Sequence, residues 1–587
     1  MPNLLAMSFE GELAPCFDLR CLHPGRKLPD GWGIGYYPGG EPSASVLKEP
    51  APPEGSIRSE LIKAWEHLES SLFLLHIRSA TWGSISDANT QPFCRTWGGR
   101  DWLIAHSGSL KHRIEVALKP QFEPVGSTDT ELIFCRLMTF LSEGNFRSLG
   151  QVDPEVLRCW LEELNDHGSM TMVLTDGHDL AIYADKNDVG GVYTWTVLPP
   201  YERLVLGDAD VEIDLTRRGT KSRKGVIVSS EPLDSFAGAP ATWTQVRPGS
   251  LLMVRQGAIR AELRANIASL PPPSHKPGSG PPPVIVPSRE LSRPTLAEVR
   301  RLDVRHRTMY RYAKPVEKST HLLRLVPVHD RLQSLLVHEM TITVGGQRRD
   351  YEDVFGNQAT RLLLDKPFSE LIIEARSRVE LLDTDPLSYR PLRVRSTIPL
   401  VWMPWQRHML QPFLLPPELP ESELVELTEY AMSFVHRNDH DLLDTLLDLN
   451  GTIFKEYEYR QGSTTVFTTP FEVYANRRGV CQDFANLFIC LARLLGVPAR
   501  YVCGYLYTGP KHGNQRQSEA SHAWVQVYLP EVGWKGFDPT NGVLTQTDHV
   551  RVAVGRSYVD ATPTSGTIFV GGGGETLEVD VRCELVK

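Results

Sequence analysis

Apolar positions recur along the chain in two rhythms. Short strand-like apolar runs occupy residues 72–77, 170–174, 226–229 and 250–254, with glycines and turn residues between them. Helical spacing appears over 57–70, 128–142 and 154–164. Further on, residues 301–307, 319–326, 335–344, 360–364 and 371–379 read as short strands. The turns VGGQ and VFGN separate some of them, a spacing that predicts a small β-sandwich or barrel. From about residue 420 the pattern becomes α+β. Helical period runs over 421–456 and 479–496, followed by strand-like runs at 500–507, 523–528 and 534–537. The tail 575–585 alternates as a strand.

One stretch fits neither rhythm. Residues 270–288, LPPPSHKPGSGPPPVIVPS, hold eight prolines in 19 positions. Each proline lacks an N–H and fixes φ, so the segment reads as an extended, semi-rigid spacer. The organisation predicted is residues 1–268 as one domain, 269–294 as linker, 295–390 as the β domain and 391–587 as an α+β core with a C-terminal strand. No internal repeat is seen.

Composition narrows the function classes. With 587 residues the chain has room for about three to five domains. Hydrophobic residues make up 41 % and charged residues 23 %, which excludes wholesale disorder and fibrous repeats. The formal net charge of −9 argues against a nucleic-acid or anionic-membrane footprint over the whole chain. Nine irregularly spaced cysteines, none in a CxxC pair, predict a reducing compartment without disulfide framework or zinc knuckle. The start MPNLLAMSFEGE has no basic n-region, and no apolar run of about 18 residues follows anywhere. A cytoplasmic protein with no membrane and no nucleic-acid partner is the expectation.

The strongest chemical signal is GVCQDFANLF at 479–488. Apolar residues recur at Phe484, Leu487, Phe488, Leu491 and Leu495, so Cys481 falls in the first turn of a helix. The helix dipole there favours negative charge, hence thiolate, and thiolate is the nucleophile. Such a thiol needs an imidazole partner, and the imidazole needs an orienting acceptor. His522 in SHAWVQVY lies 41 residues on, and Asp538 in GWKGFDPT a further 16. If 523–528 and 534–537 pair as a hairpin, His522 and Asp538 share one end of it.

Four stretches, GVCQDFANLF, RLLGVPARYV at 493–502, SHAWVQVY at 521–528 and WKGFDPTN at 534–541, resemble the bacterial transglutaminase-like superfamily. HRTMYRY at 306–312 and DVFGN at 353–357 resemble that family's N-terminal β domain. The resemblance implies a papain-like α+β core with Cys481 as nucleophile, His522 as base and Asp538 as orienting acid, without metal or organic cofactor. It implies a hydrolase acting on peptide or isopeptide amides of a peptide or protein substrate. Acyl transfer to an amine, which would cross-link proteins, and a non-catalytic peptide-binding scaffold are the alternatives.

Residues 1–265 resemble the class II glutamine amidotransferase domain, an N-terminal-nucleophile fold of αββα layers. The stretches are PDGWGIGYY at 29–37, HIRSATWG at 76–83, NTQPF at 89–93, AHSG at 105–108, GSTDTE at 126–131 and VSSEPL at 228–233. That family uses a cysteine at position 2 and an Asn-Gly oxyanion pair. Here the positions read Pro2 and Ser107-Gly108, and Cys16 is too far along to serve. What matches is the binding half: Arg78 for a glutamine α-carboxylate, Asp129 for its α-ammonium, with Thr81 and Gly108 beside them. The resemblance implies an inactive amidotransferase domain that binds a glutamine-like small molecule or serves only the fold.

Other candidates carry less. His436 and His440 stand four apart on the predicted 421–450 helix, a metal-compatible spacing, but no third ligand is evident and their neighbours are charged. GWGIGYYPGG at 31–40 lacks the GxGxxG spacing of a dinucleotide loop.

Overall fold

The computed structural model describes residues 3–20, 28–40, 42–66, 68–111, 121–219, 222–238, 240–264, 299–382, 396–509, 521–530 and 532–586. The chain forms two compact units, 1–275 and 276–587. The proline-rich linker and Pro2 lie outside the described residues.

In the first unit a seven-stranded and a six-stranded sheet pack face to face. The strand Leu4–Leu13 shows why. Leu4 and Ala6 point into the space between the sheets, whereas Leu5, Met7 and Phe9 bury against the opposite face, so this strand is apolar on both sides. The helices Asp129–Glu143 and Pro154–Asn165 cover the outer face of the six-stranded sheet through Phe134, Leu137, Leu157 and Leu161. Capping fixes their starts: Thr128 accepts from the Glu131 N–H and Asp153 from the Glu155 N–H. The seven-stranded sheet is covered differently from the predicted αββα order. A short helix, Ile57–Ala64, and a four-stranded sheet stand there in place of a second helix pair. Alternation in the short strands Cys16–Leu19 and Val211–Asp214 supplies that layer, since Phe17, Val211 and Ile213 bury together.

The second unit begins with one seven-stranded sheet, where the sequence predicts a sandwich or barrel. Its spine is a single 25-residue strand, Val299–Leu323, where two strands are predicted. Between Arg311 and Val316 the register shifts, and pairing passes from Phe368–Leu382 to Gln358–Leu364. Pro315, which cannot donate to a ladder, falls in that shift. Strand Gln347–Glu352 is exposed throughout, so it carries no apolar rhythm to read. The predicted tail strand, together with Thr564–Gly571, belongs to this sheet rather than to the α+β core. Thr576–Leu585 pairs with residues 302–311 and Thr564–Gly571 with 316–323.

The α+β core is a five-stranded antiparallel sheet packed with the helix Cys481–Leu494 and its neighbours Glu421–Arg437 and Leu442–Glu456. The sequence predicts one apolar face for the Cys481 helix. In the structure it is buried almost all round, with Ala485, Ile489, Cys490 and Ala492 as enclosed as Phe484, Leu487, Phe488 and Leu491. The predicted 421–456 helix is two helices. Asp439 and His440 take left-handed φ values of 50° and 61° between them. His440 is therefore in a turn, its Nδ1 3.0 Å from the Ile398 carbonyl oxygen, and the i, i+4 geometry supposed for His436 and His440 is not formed.

Candidate active site

Cys481 is the first residue of its helix, and Val480 is the N-cap. Two devices hold that helix start. Asp483, one turn in, accepts from the Val480 N–H at 2.8 Å and from the Thr464 hydroxyl at 2.6 Å. Gly479 gives it room: a Cβ there would stand 2.8 Å from that of Asp483. Burial pushes the Asp483 carboxyl up, against those two hydrogen bonds. The second device is Arg477, just upstream at φ 51°. Its guanidinium lies 4.8–4.9 Å from the ring centroids of Tyr430, Tyr457 and Tyr474. It donates to the Tyr430 and Tyr457 hydroxyls at 2.8 and 2.9 Å. Arg477→Met removes three cation–aromatic contacts and two charged hydrogen bonds from a buried position. It lowers stability by about 2–4 kcal/mol, read as a lower urea midpoint at unchanged slope.

The predicted hairpin forms. His522–Leu529 pairs with Gly533–Asp538, Val525 opposite Phe537, so His522 opens one strand and Asp538 closes the other at the same end. His522 Nε2 lies 2.8 Å from Asp538 Oδ2. A carboxylate only accepts, so Nε2 carries a proton and Nδ1 is left for the Cys481 thiol, which favours the charged ring. Burial alone would lower the His522 imidazole. The Asp538 charge and hydrogen bond, with Cys481, outweigh it and lift the ring to about 10. Burial would likewise raise Asp538, but the two imidazoles around it hold its carboxyl far below the usual range.

The second of those imidazoles is His549, which sequence reading does not single out. Its Nε2 lies 3.1 Å from Asp538 Oδ2 and its Nδ1 2.7 Å from Asp548 Oδ1. Asp538 Oδ2 also accepts from Asn541 Nδ2 at 2.7 Å, and Oδ1 from the Thr540 and Asn541 N–H groups at 3.0 and 3.2 Å. His522, Asp538 and His549 are the one set of side chains among the described residues whose ligand atoms are close enough for a metal. Those atoms are spent on one another, two imidazole N–H groups on one carboxylate, which is a hydrogen-bond cluster and not a cage.

In the first unit two of the four predicted binding residues, Arg78 and Asp129, are turned inward. Arg78, buried at the end of its strand, donates to the carbonyls of Trp82 and Ser84 at 3.1 and 3.2 Å. Asp129 accepts from the Leu110 and Thr130 N–H groups, both at 2.9 Å. Thr81 and Gly108 are exposed. Gly108 has φ +152°, and a Cβ there would come within 2.2 Å of the Ser169 carbonyl oxygen.

Both units match known families. The class-II glutamine amidotransferases match residues 1–277, the bacterial transglutaminase-like N-terminal region residues 302–380, and the transglutaminase-like superfamily residues 429–539. The chain belongs, through its first half, to the class-II glutamine amidotransferases, and its second half matches the transglutaminase-like models. An uncharacterized protein of Mycobacterium tuberculosis is 33 % identical over 303 residues, covering 49 % of this chain and 93 % of that one. YafJ of Escherichia coli, a proposed glutamine amidotransferase, is 31 % identical over 255 residues, covering 42 % of this chain and 95 % of its own. A crystal structure of a proposed cysteine protease from Cytophaga hutchinsonii is 21 % identical with a TM-score of 0.41. It covers 49 % of this chain and 92 % of that one. The transglutaminase-like match takes in Cys481, His522 and Asp538 but stops short of His549, whose segment DHVRVAV gives no motif beyond strand alternation. No helix among the described residues is long and apolar enough to cross a membrane.

Proposed function

We propose that the chain is a cysteine hydrolase of peptide or isopeptide amides, acting through Cys481, His522 and Asp538. The observation that carries this reading is a buried imidazole hydrogen-bonded at 2.8 Å to a buried carboxylate, with a thiol at a helix start bearing on its other side. The Cys481 thiolate attacks the amide carbonyl carbon. The developing oxyanion meets the Cys481 backbone N–H, which at the first helical position has no intrahelical acceptor. His522 passes its Nδ1 proton to the departing nitrogen as the C–N bond breaks, leaving a thioester. The same nitrogen then takes a proton from water, whose oxygen attacks the thioester and frees the thiolate.

The amidotransferase half is proposed to be non-catalytic. Pro2 and Ser107 replace the family's nucleophile and oxyanion side chain. Arg78 already binds backbone carbonyls of the loop that follows it, and Asp129 the N–H groups of Leu110 and Thr130. Its proposed role is substrate binding or regulation, with a glutamine-like group as the ligand to try first.

Thiol labelling tests the central claim. At pH 6, iodoacetamide labels Cys481 in the wild type at least about tenfold faster than in His522→Ala, because only the paired imidazole keeps the sulfur ionised there. Equal rates in the two proteins refute it.

A further inference from the structure

We propose that His549, bridging Asp548 and Asp538, is a positioning residue that shares the Asp538 carboxylate with His522 and so sets how readily His522 gives up its proton. The inference rests on the reading of Cys481 and His522 as a working pair. It adds a residue that neither the three-part site nor the transglutaminase-like match contains.

The geometry makes the charge explicit. Both His549 ring nitrogens face carboxylate oxygens, Nε2 that of Asp538 and Nδ1 that of Asp548. Carboxylates only accept, so each nitrogen carries a proton and the ring is a cation. Opposite charges therefore alternate along one line, Asp548, His549, Asp538 and His522, which ends at Cys481; its three middle members are buried and its two ends, Asp548 and Cys481, are partly exposed. The His549 and His522 ring centroids are 6.3 Å apart, and the Trp524 ring stands 5.2 Å from His549 with its edge turned to it, closing the site on that side. Arg300 acts on Asp548 at one end of this line, and Tyr459, Tyr501 and Cys503 face Cys481 at the other. Tyr507 donates its N–H to the Asp548 carbonyl at 2.8 Å.

A positive ring at that distance has a definite effect. It draws on the Asp538 charge that would otherwise hold the His522 proton, so it makes His522 a better proton donor to a leaving group. Take His549 away and Asp538 serves His522 alone. The imidazolium then holds its proton more tightly.

The test is the pH profile of Cys481 alkylation by iodoacetamide in the full-length protein from pH 4 to 11, for wild type, His549→Gln and Asp548→Asn. The wild type rises in two steps. The lower marks the thiolate–imidazolium pair and the upper the loss of the His522 proton. In His549→Gln the upper step moves up by about one pH unit or leaves the range, while the lower moves much less. Asp548→Asn keeps a hydrogen-bond acceptor for Nδ1 but removes the charge that favours the cation, and moves the upper step in the same direction by less. An upper step that stays or falls overturns the proposal. So does collapse of both steps in the variants to one at the ordinary thiol value of about 8.5, which would mean His549 only props the site. A single ordinary step already present in the wild type would instead sink the Cys481–His522 reading itself.

Discussion

Cys481→Ala lowers amide turnover by on the order of 10⁴-fold or more while leaving the fold in place. The two halves of that expectation come from different observations. The sulfur is only partly buried and packs at the margin of the core, so its loss costs about 1 kcal/mol or less. Its chemical part is not readily taken over by Cys94, Cys159, Cys490, Cys503 or Cys583. Burial pushes the thiols of Cys490, Cys503 and Cys583 up to about 12 and that of Cys94 up to about 11. Exposed Cys159 is raised too, by burial and by the carboxylates of Glu155 and Glu162 against Arg158. At neutral pH none of these is a ready thiolate. Iodoacetamide at pH 6 followed by peptide mass mapping therefore finds its dominant adduct on 481 in the wild type and loses it in Cys481→Ala. Turnover by the alanine variant within tenfold of wild type would transfer the chemistry elsewhere in the chain.

What the sequence made legible follows the reach of its signals. Cys481, His522 and Asp538 could be named because each sits at the end of a locally readable element: a helix start, a strand start, and the far side of a short hairpin. The hairpin's register then brings two of them together. His549 escapes because its place depends on a non-local pairing, Leu506 opposite His549, that no local pattern announces. The same limit explains the tail. Alternation identifies residues 576–585 as a strand, but not that its partner lies more than 250 residues earlier in the long strand from Val299. Gln347–Glu352 shows no alternation because every side chain in it is exposed. The helix from Cys481 errs the other way. Ala485 and Ala492 lie outside the apolar face that the spacing marks, yet both are fully buried.

The first unit shows how a match of residues and a match of role can part. Arg78 and Asp129 occupy the positions that the family resemblance assigns to ligand binding. Their polar atoms nonetheless have backbone partners, Trp82 and Ser84 for Arg78 and Leu110 and Thr130 for Asp129. A ligand would have to displace the Trp82 and Ser84 carbonyls from Arg78. With Pro2 and Ser107 at the positions of that family's catalytic groups, the chemistry proposed for the chain falls in its second half.

Asp538→Asn carries the second large effect, and it falls on stability as well as rate. The carboxylate is fully buried and takes hydrogen bonds from two imidazoles, one side-chain amide and two backbone N–H groups. An amide in its place can turn only one oxygen toward that set and presents a donor to the rest. Being neutral, that amide also leaves the His549 cation with Asp548 as its one anionic partner. Loss of a buried charge among charged partners costs about 3–5 kcal/mol. Without the carboxylate His522 has no anchor for its tautomer, and turnover falls by on the order of 10⁴-fold. The pH dependence of stability separates this from generic damage. Asp538 has a folded value far below its ordinary 3.8, so its contribution is present above about pH 4 and is lost as pH falls through the lowered value. His522 is raised from an ordinary 6.5 to about 10, so its contribution is full below 6.5 and drains away as pH climbs to about 10. Urea midpoints of the wild type therefore fall between pH 7 and 10, and those of Asp538→Asn change much less over that interval. Parallel declines in the two proteins would place the alkaline loss in some other group and free His522 from its carboxylate.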